Sequence, residues 1–359
     1  DFNKGSMVFI PKGSHQEDVN SSWRAPDDVC PITLSNTDAE ILGSALNKAI
    51  SDQCELGASE AQNGFVRTRQ MSGNTLKLEC NMLRYGILQC IKSAGSVLLD
   101  VKAAFPSLLH FWIEFVLGCP MSGSIFALCL NPVLRQIQGR LPSPQHSLSA
   151  FADDMAFFSQ DLHRALPVLM RILMRASLVT GLVMNLAKRV IVFYRQEIDR
   201  EEELRRFQDQ GIRARKFAIQ NWGKYLGIHL GHRSIVRSWT SPIAKYLERC
   251  RFIRSLAGGL HQAIMPYNSI ANSVLMFVAS FFAPPKAATG AERGGHQILT
   301  ACPRYAIPNA VLFQFKNIFS NSWSVRSLRH EGRAALYRNA ARSPIFVDYE
   351  LELEEVLEG

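Results

Sequence analysis

Ser149-Ala-Phe-Ala-Asp-Asp-Met-Ala-Phe-Phe158 places two adjacent carboxylates, Asp153 and Asp154, between two short apolar runs. This pattern predicts a β-hairpin with the acids at its tip. Successive side chains of a strand point to opposite faces, so the two acids cannot act as equivalent ligands of one ion. Taken alone, the pair is also an ordinary turn signal. A catalytic role requires a further acid from elsewhere in the chain.

Asp100 is the candidate for that further acid. It ends the apolar part of Ser96-Val-Leu-Leu-Asp-Val-Lys-Ala-Ala-Phe105, which predicts a buried strand. Beside the hairpin, Asp100 and Asp153 could hold two divalent ions about 3.5–4 Å apart, an arrangement that serves phosphoryl transfer. Mg²⁺ suits such a site because it accepts few carboxylates and keeps positions for water and phosphate.

The composition indicates a folded, basic protein. The chain has 359 residues, 47% of them hydrophobic, and 40 basic against 31 acidic side chains leave a net charge of +9. Such a length allows two or three packed subdomains, and the charge favours an anionic partner such as nucleic acid. The eight cysteines show no zinc spacing and predict reduced thiols of an intracellular protein. The apolar run 274–283 is too short to span a bilayer.

Two helices are predicted in the first third of the chain. Thr37 and Glu40 form a capping-box pattern, and apolar residues at helical spacing predict a helix from Asp38 to about Ser51 that buries one face. Asn74 is the expected cap of a second helix. The expected buried positions of the first helix are Ile41, Leu42, Ala45, Leu46, Ala49 and Ile50. Later in the chain, a helix is predicted to begin at Asp161 and to run to Thr180, with Gly181 as its stop.

The order of several short motifs resembles the reverse transcriptases of non-LTR (LINE-type) retrotransposons. The resemblance runs from about Met7 to about Leu312, and each motif alone is weak. The motifs are Ile10-Pro-Lys-Gly13, Pro31-Ile-Thr-Leu-Ser-Asn36, Gln62-Asn-Gly-Phe65 with Arg69, Asp100-Val-Lys-Ala-Ala-Phe105, Gly118-Cys-Pro-Met-Ser122, Phe151-Ala-Asp-Asp154, Gly181-Leu-Val-Met-Asn-Leu-Ala-Lys188 and Tyr225-Leu-Gly-Ile228.

This resemblance implies an α+β right-hand polymerase fold with fingers, an antiparallel palm sheet and a helical thumb. The implied divisions are fingers at 1–95, palm at 96–232, thumb and connection at 233–330, and an acidic tail at 331–359. The implied activity is RNA-directed DNA polymerisation, with an RNA template, a DNA primer and deoxynucleoside triphosphates. The implied cofactor is Mg²⁺, with Mn²⁺ as the alternative, and the implied location is the nucleus or cytoplasm. Because the chain opens on Asp1 in mid-pattern, we expect it to be a fragment.

The resemblance also assigns roles to single residues. Asp100, Asp153 and Asp154 would be catalytic acids, with Asp100, Asp153 and the Val101 carbonyl on the metals, and Lys188 would be the general acid for pyrophosphate. The other assigned residues are Lys12 and Phe105 for the nucleotide, Phe105 being the steric gate, and Pro120, Ser122, Tyr225 and Gly227 for template and primer.

Two departures from the family pattern leave a second interpretation open. Cys30 stands where the family usually has a triphosphate-binding arginine. Only the twelve residues of 106–117 separate Phe105 from Gly118, where the family usually places several dozen. Twelve residues make about three helical turns, roughly 18 Å, so the connection resembles a deletion. The alternative to an active polymerase is a catalytically inactive remnant that at most binds nucleic acid, and a third interpretation is a structural protein with accidental motifs.

Overall fold

The architecture is α+β, with helices and strands alternating along the chain. The computed structural model describes residues 6–11, 29–34, 36–102, 120–185, 188–195, 197–212, 217–256 and 265–300. Lys12, Phe105, the proposed deletion at 106–117, Gly118 and the tail at 331–359 lie outside these residues. Within the described residues, no helix is both long enough and apolar enough to cross a membrane.

Ten strands form three sheets in the described part of the chain. β1 (Ser6–Pro11) pairs antiparallel with β2 (Val29–Leu34), and Cys30 lies opposite Ile10 in that pair. The largest sheet has the order β4-β5-β3-β7-β8, with β6 added beside β3. Its strands are β3 (Gly95–Lys102), β4 (His146–Phe151), β5 (Asp154–Ser159), β6 (Val183–Met184), β7 (Val190–Phe193) and β8 (Ala218–Gln220). The third sheet is the hairpin of β9 (Trp222–Tyr225) and β10 (Ile228–Gly231).

Helices alternate with these strands. The α-helices are α1 (Thr37–Gly57), α2 (Met71–Asn81), α3 (Ser122–Arg140), α4 (Leu162–Thr180), α5 (Arg200–Asp209), α6 (Ser234–Ser255), α7 (Ser273–Ala279) and α8 (Lys286–Thr300). Two π-helical segments, Met82–Leu88 and Tyr267–Asn272, lead out of α2 and into α7. α4 begins after Asp161, whose side chain accepts from Arg164 N, and ends at Gly181 with φ 73°. Both ends of α4 were predicted from sequence and are confirmed.

The acid-tipped hairpin is confirmed. β4 and β5 pair antiparallel from His146↔Ser159 to Phe151↔Asp154, so Ala152 and Asp153 form the turn. The strands are held by burial of apolar residues such as Leu148, Phe157 and Phe158. Burying an aromatic side chain of this size is worth about 1.5–3 kcal/mol, which fixes the register and therefore the position of the acids.

The chain divides into two compact units. The first contains Asp1–Lys77, Ser96–Ile191 and Arg200–Ala218, and the second contains Leu78–Gly95, Val192–Asp199 and Ile219–Gly359. Asp100 and the acidic hairpin belong to the first unit, in which α3 packs on α1, α4 and β4. The β9–β10 hairpin and the helical region from α6 to α8 belong to the second unit, in which α8, α7 and β10 pack on α6.

The predicted start and burial of α1 are wrong. Asn36 is the cap, because its side chain accepts from Asp38 N, and the helix continues past Ser51 to Gly57. The expected core residues Ile41 and Leu42 are 64% and 49% exposed, and Leu46 is 46% exposed. Apolar spacing identifies one face of a helix, but tertiary contacts decide whether a neighbouring element covers that face.

The predicted start of α2 is also wrong. The helix begins at Met71, so Asn74 lies inside it and is only 1% exposed. Its side chain is used for a tertiary contact instead, because Asn74 Nδ2 donates to Ala150 O at 3.0 Å. The buried side of α2 therefore carries Asn74 and Leu78, whereas Leu76 is 41% exposed.

Candidate active site

Three acids from two separated parts of the first unit meet at one site. Asp100 lies near the end of β3, Asp153 lies in the turn between β4 and β5, and Asp154 begins β5. The Asp154 carboxyl lies close enough to Asp153 and Asp100 for their negative charges to act on its pKa. β5 is the neighbour of β3 in the sheet, which is why residues about fifty positions apart come together. The structure thus brings the three acids close together.

The acids perturb one another electrostatically. Burial and the nearby Asp153 and Asp100 carboxylates raise the pKa of Asp154 to about 6, against a partial opposing effect of Lys188. Burial also raises the pKa of Asp153, its own backbone N–H lowers it, and Asp100 raises it further. Removing carboxylates from water and placing them beside like charges disfavours ionisation. Perturbed acids of this kind are a frequent mark of catalytic sites.

Lys188 is the cation of the site. Its Nζ lies 2.9 Å from Asp100 Oδ2, and its side chain remains 65% exposed. The hydrogen bond to Asp100 and the surrounding carboxylates raise the pKa of Lys188, although partial burial opposes this. Lys188 is therefore a protonated ammonium at neutral pH, with a largely solvent-exposed side chain. The structure brings together Asp100, Asp153, Asp154 and Lys188 as the sequence predicted.

Asn185 is a component of the site to which the sequence assigned no role. Its backbone N–H donates to Asp100 O at 2.7 Å, and its Nδ2 donates to Asp100 Oδ2 at 3.0 Å. The contact arises because β6 pairs with β3 immediately beyond Asp100, with Val101 opposite Met184. Asn185 thus fixes both the backbone and the carboxylate of Asp100. The only sequence signal was its position between Gly181 and Lys188.

The donor set fits a divalent cation, although it is not already arranged as a metal site. Among the described residues, no group of three or more His, Cys, Asp or Glu side chains has a metal-binding arrangement. The acids of the site are nevertheless all hard oxygen donors, which Mg²⁺ and Mn²⁺ prefer. A cation would stabilise the ionised forms of Asp153 and Asp154, whose pKa values are raised first by burial and then by the neighbouring carboxylates. Asp100, Asp153 and the Val101 carbonyl are the predicted ligands.

One of the two template-contacting positions predicted near α3 lies at a groove. Pro120 lines this groove, which has a volume of about 560 Å³ and also carries Lys48, Arg67 and Phe65. Phe65 is 51% exposed and lies so close to Gly123 that an added Cβ would be 2.3 Å from its ring. Ser122, the other predicted position, is the half-buried first residue of α3.

The predicted primer-contacting positions lie on the β9–β10 hairpin of the second unit. Tyr225 is 3% exposed, and Gly227 occupies the turn with φ 85°. A Cβ at Gly227 would be 3.0 Å from the Phe277 ring, so this turn is closely packed. Tyr225 therefore supports the hairpin from inside, while Lys224 is the exposed charged side chain on β9.

The comparison with protein families agrees with this site. Residues 109–230 match the family model for reverse transcriptase (RNA-dependent DNA polymerase). The reverse transcriptase match covers about a third of the chain and contains Asp153, Asp154 and Lys188, while Asp100 lies just before it. The right-hand polymerase fold implied by the sequence is the fold of this family, and the α+β class is confirmed. A search of curated proteins found no match.

Proposed function

We propose that the chain is the reverse transcriptase domain of a non-LTR retrotransposon, with RNA-directed DNA polymerase activity. The observation that carries the proposal is the meeting of Asp100 with Asp154 and Lys188, which come from three separate elements. The reverse transcriptase match at 109–230 supports the same reaction. A pair of divalent ions, Mg²⁺ or Mn²⁺, would supply the charge stabilisation that phosphoryl transfer needs. The substrates are an RNA template, a DNA primer and deoxynucleoside triphosphates.

The residues of the site divide the work of the reaction. Asp100 and Asp153 would bind the divalent ions, while Asn185 holds the Asp100 carboxylate through two hydrogen bonds. Asp154, whose pKa is raised to about 6, would take up a proton and so reduce the negative charge beside Asp100 and Asp153. Lys188 holds a proton at Nζ within reach of the site and would give it to the leaving pyrophosphate. Lys12 and Phe105 remain proposed contacts of the incoming nucleotide.

Two surfaces are proposed to bind nucleic acid. The groove lined by Pro120 would hold the template, because Lys48 attracts phosphate and the exposed Phe65 ring can stack on a base. Arg67 also lines this groove, where it pairs with Asp52 at 3.0 Å, and Ser122 is proposed to contact the template from the start of α3. The β9–β10 hairpin with Tyr225 and Gly227 would support the primer. On α6, Lys245, Arg251 and Arg254 are exposed and would follow a phosphate backbone. Arg249 has another task, since its Nη1 donates to Ile270 O at 2.6 Å.

We also propose the division of the chain into fingers, palm and thumb, at 1–95, 96–232 and 233–330. The proposed location is the nucleus or the cytoplasm. Two departures from the family pattern, the shortened connection at 106–117 and Cys30, affect whether the chain is an active polymerase. They do not affect its resemblance to the family. A polymerase that lost template support at this connection would keep its acidic hairpin and bind nucleic acid without extending a primer. This inactive remnant is the second candidate function.

Primer extension on an RNA template separates the two candidates. The chain is compared with an Asp153→Asn, Asp154→Asn double variant, in Mg²⁺ and separately in Mn²⁺. Asp161→Asn is the matched control, because Asp161 caps α4 and asparagine caps helices equally well. We expect extension by the chain and by the control, and none by the double variant. A folded chain without extension in either metal would reject the polymerase proposal and leave the remnant.

A further inference from the structure

The turn that carries Asp153 has a strained backbone. Ala152, the residue before Asp153, has φ 56° and is only 6% exposed. Residues with a Cβ avoid this left-handed region because of steric contact with the backbone, so neighbouring groups must hold Ala152 there. The direction of the Asp153 side chain depends directly on this backbone angle. Whatever fixes Ala152 therefore also fixes the catalytic acid.

The group that fixes Ala152 is the side chain of Gln62. Gln62 is fully buried, and its Oε1 accepts from Ala152 N at 3.0 Å and from Gly64 N at 2.9 Å. Its Nε2 lies 3.5 Å from Ala152 O, to which it donates. One amide side chain can donate and accept at once, so Gln62 contacts both polar groups of the Ala152 residue. Gln62 lies ninety positions before Ala152 in the chain.

The backbone around Gln62 is fastened to the edge of β4. Ala150 N donates to Ala61 O at 2.7 Å, and Asn63 N donates to Ala150 O at 2.8 Å. These bonds form a parallel bridge between Gln62 and Ala150. Gly64 allows the close approach, because an added Cβ would be 2.2 Å from Ala152 N. The segment 61–64 therefore extends the sheet beside β4 and places the Gln62 side chain at the hairpin tip.

We propose that Gln62 is a positioning residue for Asp153. By holding Ala152 in its left-handed conformation, it directs the Asp153 carboxylate toward Asp100 and keeps both acids in the geometry needed for reaction. Gln62 itself contacts no reacting atom. The inference rests on the proposed polymerase function, and it adds a residue from outside the matched reverse transcriptase region.

The test uses two substitutions at Gln62 and one matched control. Gln62→Met keeps the size of the side chain and removes its hydrogen bonds, whereas Gln62→Glu keeps the acceptor for Ala152 N and Gly64 N. Gln138→Met is the control, because Gln138 also accepts a hydrogen bond, from Ser59 Oγ at 2.7 Å, and this partner lies outside the β4–β5 hairpin. A displacement of about 1 Å can reduce a rate roughly 100-fold.

For primer extension we expect kcat of Gln62→Met to fall roughly 100-fold, with KM for deoxynucleotides nearly unchanged. Gln62→Glu should recover a substantial part of the loss, and Gln138→Met should match the parent chain. If Gln62 had a purely structural role, Gln62→Met would lower the fraction of folded molecules but leave their kcat unchanged. Active-site titration counts the folded, active molecules, so that kcat can be calculated for these molecules alone. Unchanged kcat in folded Gln62→Met would overturn the proposal.

Hydrogen exchange supplies a readout that does not require polymerase activity. In a peptide spanning Ser149–Met155, Gln62→Met should exchange faster at the turn, while the amides of α4 keep the parent rate. If the parent chain extends no primer but the turn loosens in this way, the polymerase proposal fails and the positioning contact stands. If exchange at the turn is unchanged in both Gln62 variants, the positioning contact is rejected whatever the activity.

Discussion

Lys188 Nζ lies 2.9 Å from Asp100 Oδ2, and this ion pair joins β3 to the segment that follows β6. The lysine side chain is 65% exposed, so water screens the attraction and the pair contributes about 0–1 kcal/mol to stability. The ion pair therefore adds little to stability, and its main effect is to place a protonated amine beside the acids. A general acid in such a position accelerates a reaction typically by about 10²–10⁴.

Lys188→Gln should lower kcat for primer extension roughly 100-fold while changing the free energy of unfolding by less than about 1 kcal/mol. Single-turnover extension and denaturant titration measure the two effects. Lys92→Gln is the control, because Lys92 is exposed and lies in the second unit. A large loss of stability together with normal kcat would contradict the catalytic placement of Lys188.

In the metal-free chain, the free energy of unfolding should depend on pH because the pKa of Asp154 is raised in the folded state. The pKa of Asp154 is about 6 in the folded chain and near 3.8 when unfolded, so the folded state binds the proton more tightly. Protonation of Asp154 therefore stabilises the folded state. This stabilisation is complete below the unfolded pKa and is lost as the pH rises through about 6. Asp154→Asn removes this dependence because asparagine does not ionise.

Asp154→Asn should therefore become more stable relative to the parent chain as the pH is raised from about 4 to about 7.5. Denaturant titrations at several pH values measure the difference. Asp161→Asn serves as the control, since Asp161 caps α4 at the surface. Addition of Mg²⁺ or Mn²⁺ should reduce the difference, because bound cations favour the ionised acids. A difference independent of pH would contradict the raised pKa of Asp154.

Gly64→Ala and Gly139→Ala should change stability in opposite directions. A Cβ at Gly64 would be 2.2 Å from Ala152 N, so the segment must move away from the hairpin, at a cost of about 2–3 kcal/mol. Gly139 lies in α3 with nothing within 4 Å of an added Cβ, and alanine favours helix by about 0.5–1 kcal/mol. Denaturant midpoints give both values. Equal effects would show that residues 61–64 do not pack tightly on β4.

His163 and Glu203 form a buried pair that links α4 to α5. His163 Nε2 lies 2.6 Å from Glu203 Oε2, and the Glu203 side chain is fully buried. His163→Leu leaves this carboxylate without its histidine partner and should cost about 3 kcal/mol. A His163→Leu, Glu203→Leu double variant should recover part of the loss, because no buried charge remains.

Arg164→Leu is the comparison for the His163 variant. Arg164 pairs with Asp161 at 3.4 Å, and its side chain is 85% exposed. Such a surface pair contributes about 0–1 kcal/mol, so the variant should unfold nearly as the parent does. Thermal or denaturant unfolding compares the three variants. A similar small loss for His163→Leu would mean that Arg206, whose Nη1 lies 3.8 Å from Glu203 Oε1, pairs Glu203 adequately without His163.

Local patterns predicted the elements that local interactions build. The apolar runs around Asp153 predicted the β4–β5 hairpin, and Asp161 with Gly181 predicted both ends of α4. These features depend on residues within a few positions of one another, so they can be predicted from the local sequence. The cap of α1 was misread by one residue because Asn36 and Thr37 are both good caps, and only the backbone angles distinguish them.

Longer-range features were predicted in part. Asp100, Asp153, Asp154 and Lys188 were grouped through resemblance to a family, and the structure brings them together. The burial of α1 was wrong, because periodicity does not show whether a neighbour covers an apolar face. Asn74 was read as a helix cap because a polar residue near a helix start usually serves locally, whereas here it hydrogen-bonds Ala150.

By itself the sequence determined the acidic hairpin, because alternation and turn residues act over short stretches of chain. The α+β fold and the grouping of the distant acids were implied only by the resemblance of several motifs to a family. The tertiary structure alone decided that Asn185 holds Asp100 and that Gln62 holds the turn before Asp153. Those contacts join residues 85 and 90 positions apart. A buried polar side chain takes whichever partner the folded chain brings to it, and only the packing of β3, β4 and β6 fixes that partner.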